Sequence, residues 1–373
     1  MDDDEDGVLP LPSLMEAWRP PSGGKRSMRG AYLRVGKTGA GRRGTGARLS
    51  QSEARARLER IVRKTPEVMV KVSGKQYGAH HLGEHFSYIG RHGKLAVRSS
   101  EGEIIDDPQR LKEIAEDWAM LDAAMNEHGR DRPASLSLVL SMPGGSTDAD
   151  TVLDAAQAFA RILFEDRHAY MLALHTDTDH PHVHLTVAAE GRDGSRFNPR
   201  KADLHHMRET FAHELRARGV AAEATPRRAR GHVQKRVRSP AFHLDARLEG
   251  QGKGLNLDQL NDLRAQAFVR ASDTQRRVED VMALSRQKQI RGAYAEAAVA
   301  LAGTGSAEDV ALSGEIASFL ASMPPAVSRR LERARVLLQS ELGQREPGRS
   351  SQTSEAEKSA SDAPVRTKRD RER

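Results

Sequence analysis

Residues Ala173–Ala189 read ALHTDTDHPHVHLTVAA, and this stretch organises the chain. Four histidines and two aspartates fall within the ten residues His175 to His184, after which the sequence turns apolar. From His182 onward it alternates: His182, His184 and Thr186 share one side, Val183, Leu185 and Val187 the other. That period of two belongs to a half-buried strand. Alternate residues on a strand share a face and lie about 6.5–7 Å apart along it. The imidazoles of His182 and His184 can therefore converge on one metal ion. His175 ends a second apolar run, Tyr170–Leu174, and supplies a third nitrogen if the two strands are neighbours. A single histidine in such a place is ordinarily a satisfied polar side chain. Four so close together, at a strand end beside acids, point to a metal site.

Working outward, Ser135–Ser141 alternates as another strand and closes on the turn Met142-Pro143-Gly144-Gly145. Helical spacing of apolar residues appears over about 51–64, 80–91, 108–125 and 148–164. A further helix is expected to be capped by Asp203 and to end at Gly219. A strand is expected over 68–72, and Gly191–Gly194 reads as a hairpin turn. Strands and helices mix without regular βαβ alternation, which predicts an α+β fold: a central antiparallel sheet with helices on one side. This unit is expected to span 51–225. Residues 1–50, acidic at first and then rich in Gly and Arg, read as a flexible basic arm. Residues 226–250 read as a basic linker, 251–342 as a small helical accessory region, and 343–373 as a disordered basic tail.

The 373 residues carry 59 Lys and Arg against 52 Asp and Glu, a net charge of +7, with a pI near 9.7. Nucleic acid is the partner this balance favours, the alternative being a solvated basic surface. There is no cysteine, so disulfides, thiolate metal sites and cysteine nucleophiles are excluded. No apolar stretch reaches the roughly 18 residues of a membrane span, and a cytoplasmic protein without membrane insertion is expected.

An imidazole-bound metal in a basic protein would take a phosphodiester oxygen and act as a Lewis acid. A metal-bound water would make the protein a hydrolase; a side-chain oxygen would make it a transesterase with a covalent intermediate. With cysteine absent, serine and tyrosine remain as nucleophiles. Of the five tyrosines, Tyr32 falls in the arm, Tyr170 in an apolar run and Tyr294 in the helical region, leaving Tyr77 and Tyr88. Tyr88 is bracketed by His85, Arg91, His92 and Lys94.

The segment His85-Phe-Ser-Tyr88-Ile-Gly-Arg-His-Gly-Lys-Leu95, with His175-Thr-Asp177-Thr-Asp-His180-Pro-His182-Val-His184, resembles the MobA/VirD2-like conjugative relaxases. These are mobilisation nucleases of the HUH endonuclease superfamily. Ser137–Gly145 resembles the middle strand and turn of that family, so the likeness covers about residues 66–225 in order. The resemblance implies nicking of one DNA strand at an origin of transfer (oriT) by tyrosine attack on the scissile phosphate. A 5′-phosphotyrosyl intermediate then allows the strand to be piloted and rejoined. It assigns Tyr88 as nucleophile, and His175, His182 and His184 as ligands of a divalent ion, Mg2+ or Mn2+. Asp177 would orient a ligand histidine, and His180 would assist proton transfer or contact DNA. Arg91, Lys94, Ser141, Asn198, Arg200 and Lys201 would contact DNA. Implied partners are single-stranded origin DNA, relaxosome accessory proteins and the coupling protein of a type IV secretion system, with translocation to a recipient cell attached to DNA. All-histidine ligation by itself suits zinc, copper, manganese or iron better than magnesium. Rival readings are a rolling-circle initiator or transposase of the same chemistry, a hydrolase in which water attacks, and a DNA-binding protein with a structural metal. The arm ahead of the fold departs from the family, in which the tyrosine lies nearer the start.

Overall fold

Six strands pair antiparallel throughout, in the order β1-β4-β6-β5-β2-β3. They are β1 (Met69–Gln76), β2 (Val97–Ser99), β3 (Ile104–Ile105), β4 (Ser135–Ser141), β5 (Tyr170–His175) and β6 (His182–Ala188). The computed structural model from which this is drawn describes residues 8–20, 49–126, 129, 131–232, 278–324 and 336. The fold class is the expected α+β, with one correction: helices cover both faces of the sheet. Helices α5 (Ala149–Phe164) and α6 (Lys201–Arg216) pack on the face bearing Leu138, Leu172, Val183 and Leu185. Helices α3 (Gly78–Ile89) and α4 (Pro108–Ala124) cover the opposite face, with Met171 and Ala173 beneath them. Every residue of β4 is buried, its serines included. Ser135 and Ser137 are buried because hydrogen bonds satisfy them there.

Local signals place the elements. Asp107 and Asp148 cap α4 and α5 by accepting from Gln109 N and Thr151 N. Asp203 sits at the third residue of α6 rather than before it, and accepts from Arg200 N at 2.7 Å. Strand β1 runs past the expected 68–72 because it pairs with β4 along its whole length, with a bulge between Val72 and Gly74. Strands β2 and β3 are too short to leave an alternation in the sequence; pairing with β5 and with each other makes them.

A second apolar cluster is helical. It joins α1 (Leu11–Trp18), α2 (Gln51–Val62), α7 (Val278–Ala302) and α8 (Ala307–Ser322). Leu14 and Trp18 are buried in it, although the sequence placed them in a flexible arm. Trp18 Nε1 donates to the Tyr294 hydroxyl at 3.1 Å, which donates to the Ala229 carbonyl at 2.9 Å. The apolar side of α2 belongs to this cluster too, so the helix reaches the sheet unit through charges: Arg60 Nε donates to Glu223 at 2.8 Å, and Arg57 Nη1 to Glu209 at 3.3 Å. Within the expected linker, Arg227–Arg230 forms a 3-10 turn. The rest of that linker from residue 233, and the tail 343–373, lie outside the described residues. Among the described residues, no helix is long and apolar enough to cross a membrane.

Candidate active site

The antiparallel register sets His175 of β5 directly opposite His182 of β6, and the period of two puts His184 on the same face. Ring centroids lie 5.3 Å apart for His175 and His182, 4.4 Å for His175 and His184, and 5.2 Å for His182 and His184. One nitrogen from each ring falls within 4.8 Å of the other two, and these three form a group able to hold a metal ion.

The donor set fits an ion. His175 Nε2 hydrogen-bonds the Ile89 carbonyl at 2.7 Å, which keeps the proton there and makes Nδ1 the acceptor, a lone pair that here accepts from Arg91 Nη2 and that an ion would have to take over. His182 Nδ1 does the same with the His180 carbonyl at 3.0 Å, leaving Nε2. His184 Nδ1 is sealed from solvent with no hydrogen-bond partner, a costly condition that a cation would relieve. Burial, reinforced by neighbouring His175 and His182, pushes the His184 imidazole down to about 3. Burial also lowers His175. Both are thus neutral at physiological pH, the form that binds metals.

Tyr88 is on the last turn of α3, half exposed, with its ring edge-on to His184 at 5.9 Å and 6.3 Å from His175. The helix runs back over the sheet from the Gln76 end of β1, so its C-terminal turn arrives above the histidines. There Gly90 ends it, and Arg91 and His92 turn left-handed with φ of 50° and 57°. The reversal is held by His92 N to Ser87 O at 2.8 Å, Leu95 N to Gly90 O at 3.0 Å, and Ser87 Oγ with His92 Nδ1 at 2.8 Å. It turns the Arg91 guanidinium back over the Tyr88 ring, 5.4 Å from its centroid. Arg91 Nη2 pairs with Asp177 and lies 3.2 Å from His175 Nδ1.

Several assignments change. Asp177 orients Arg91, while the group that orients His175 is a main-chain carbonyl, which no side-chain motif could reveal. His180 lies outside the triad: its Nδ1 accepts from Gly144 N at 2.7 Å, tying the β5–β6 loop to the turn after β4. The approach is so close that a Cβ on Gly144 would sit 2.4 Å from the Asp179 carbonyl oxygen. Ser141 is buried opposite His182. Lys94 is exposed just beyond the Arg91 turn. Asn198, Arg200 and Lys201 are exposed but are not brought to the histidines. Phe197 N bonds Ala189 O, so they leave the sheet at the opposite end of β6, about 20 Å along a strand of this length. Tyr77, the other candidate nucleophile, precedes the first turn of α3, at the wrong end of the helix. In the sequence His85 stood out only as one of the residues that bracket Tyr88. Burial lowers it to about 4, and its Nε2 reaches Ser137 and Thr186 under α3. Its spacing of three residues from Tyr88 was the available signal.

An antiparallel sheet sandwiched by helices, with three imidazoles of two neighbouring strands beneath a helix-borne tyrosine, defines an α+β protein with a candidate histidine metal centre. Residues 88–220 match the relaxase family described as MobA/VirD2-like, nuclease domain, a likeness that supports a MobA/VirD2-like relaxase. The match opens on Tyr88 itself. The T-DNA border endonuclease VirD2 of Rhizobium radiobacter is 26% identical over 166 residues, 40% of this chain and 39% of that protein. VirD2 of Rhizobium rhizogenes is 24% identical over 186 residues, 46% of this chain and 42% of that protein. The chain thus matches about two fifths of the length of these relatives. A solved chain from "Molecular Basis of Vancomycin Resistance Transfer in Staphylococcus aureus" aligns with 43% of this chain and 99% of its own length, at 14% identity and a TM-score of 0.30.

Proposed function

We propose that this protein is a conjugative relaxase that nicks one strand of origin-of-transfer DNA through Tyr88 and later rejoins it. The catalytic unit spans residues 51–225. The observation that carries the reading is the Tyr88 ring packed edge-on to His184 at 5.9 Å, on the face where the three imidazoles converge. The Tyr88 Oη loses its proton and attacks the scissile phosphorus. An O–P bond to tyrosine forms, the bond from phosphorus to the 3′ oxygen breaks, and the released 3′ oxygen takes up a proton. Phosphate ester is exchanged for phosphate ester, so the 5′-phosphotyrosyl bond conserves the energy for rejoining. His175, His182 and His184 would hold a divalent ion, Mg2+ or Mn2+, which would supply Lewis-acid stabilisation of charge on the phosphate. Arg91, fixed by Asp177, brings a permanent cation to the same place. Exposed Lys94 lies next on the chain for the DNA backbone. Relaxosome accessory proteins, a type IV secretion coupling protein, and passage to a recipient cell attached to DNA complete the proposal, on the resemblance of the tyrosine and histidine motifs to the relaxase family.

The test incubates the full chain with labelled single-stranded origin DNA and Mn2+, followed by a denaturing gel. A covalent protein–DNA adduct is expected, and Tyr88→Phe should abolish it while leaving DNA binding within a few-fold. Cleavage without adduct would instead mean attack by water, and an adduct surviving in Tyr88→Phe would remove this tyrosine as nucleophile.

A further inference from the structure

Between α3 and the sheet, side chains that are polar lie in otherwise apolar packing. Gln76, Ser135, Ser137 and Thr186 are all buried there. Ser135 Oγ donates to Gln76 Oε1 at 2.7 Å, and Ser137 Oγ lies 3.2 Å from the same oxygen. The row ends on the helix: His85 Nε2 is 2.7 Å from Ser137 Oγ and 2.9 Å from Thr186 Oγ1. One imidazole nitrogen therefore bridges the two central strands, β4 and β6.

Both ends of this link lead to the candidate site. Thr186 is two residues beyond His184 and shares its face. Tyr88 is three residues beyond His85, on the same side of the helix, and their rings stack with centroids 6.4 Å apart at 29°. The apolar contacts of Leu82, Phe86 and Ile89 hold α3 down but are non-directional, so they set its rotation weakly. Hydrogen bonds of this length tolerate little displacement. The rotation matters because a phenolic oxygen stands about 9 Å from the helix axis, so a turn of about 10° moves it by more than about 1 Å. A misplacement of that size can cost about 100-fold in rate.

We propose that His85 is a positioning residue: by locking α3 to β4 and β6 it holds the Tyr88 oxygen at the histidine centre. The proposal rests on the reading of Tyr88 as nucleophile. It is tested on the full chain with His85→Leu, which removes both hydrogen bonds, and His85→Gln, whose amide can restore the Nε2 contacts. Thr186→Val removes one contact from the other side. Adduct formation is measured at saturating DNA, alongside the Kd for uncleaved oligonucleotide. His85→Leu should slow adduct formation about 10- to 100-fold with little change in Kd, while His85→Gln recovers most of the rate. A second readout needs no turnover. 3-Fluorotyrosine at position 88 should give one narrow fluorine resonance in the parent and in His85→Gln, and a broadened or split one in His85→Leu and Thr186→Val. If His85→Leu misfolds, Thr186→Val and His85→Gln still decide the matter. Parent-like rate and resonance in Thr186→Val and His85→Leu would overturn the proposal, as would a His85→Gln variant no better than His85→Leu. If the parent itself forms no adduct, the nucleophile reading fails, and the fluorine resonance still decides whether His85 sets Tyr88.

Discussion

His184 has a buried Nδ1 without a hydrogen-bond partner and an imidazole held neutral at about 3. A core histidine with no function would be expected to satisfy both nitrogens, as buried polar groups generally do. The other two rings each spend one nitrogen on a main-chain carbonyl, which fixes the tautomer and leaves the second nitrogen as an acceptor, that of His175 taken up here by Arg91. Removing one of three imidazoles should therefore be severe. His184→Ala is expected to weaken Mn2+ binding by at least about 100-fold in isothermal calorimetry. Undiminished binding would move the ion elsewhere. Arg91 shows the other lesson at this scale. Its left-handed backbone is what turns the guanidinium toward Tyr88, and Asp177 holds it there.

Helix α3 is the element on which the site depends, since it brings Tyr88 over strands whose histidines lie about ninety residues later in the chain. Its polar attachment has a consequence for acid stability. Burial lowers His85 from 6.5 to about 4, so between these values the unfolded chain binds the proton more readily than the folded one. Stability from this group is complete above about pH 6.5 and falls as pH drops towards 4. The loss amounts to about 3 kcal/mol. In urea unfolding between pH 7 and 4, His85→Gln should show a smaller fall in stability than the parent. Equal slopes would mean that His85 is not held neutral. Helix boundaries themselves were largely legible: the expected 108–125 and 148–164 agree to within a residue with α4 and α5, while α3 starts and stops two residues earlier than the expected 80–91. Strands β2 and β3 were not, because three and two residues are too few to show a period.

At the scale of the whole molecule, α1 packs against α7 although about 260 residues separate them in the chain. Trp18 is 2% exposed, donates to Tyr294 and lies beneath Arg57, whose guanidinium carbon is 5.3 Å from the ring centroid. Trp18→Ala should destabilise the protein by about 3–5 kcal/mol, read as a lower midpoint of chemical unfolding. A midpoint equal to that of the parent would show that α1 adds nothing to the helical cluster.

The histidine strand, the two helical stripes flanking it and the α+β class were readable because they depend on local period: two for a strand, three to four for a helix. So were the residues later found together, His175, His182, His184 and Tyr88, because the likeness to relaxases marked them in order. Only the tertiary structure decided what each side chain touches. It gave Asp177 to Arg91, His180 to Gly144 and the orienting role to the Ile89 carbonyl, and it left Asn198, Arg200 and Lys201 at the far end of β6. It also covered the second face of the sheet and buried α1. Those outcomes turn on register, on the hand of a turn and on contacts between distant segments, and none of these has a period that a sequence displays.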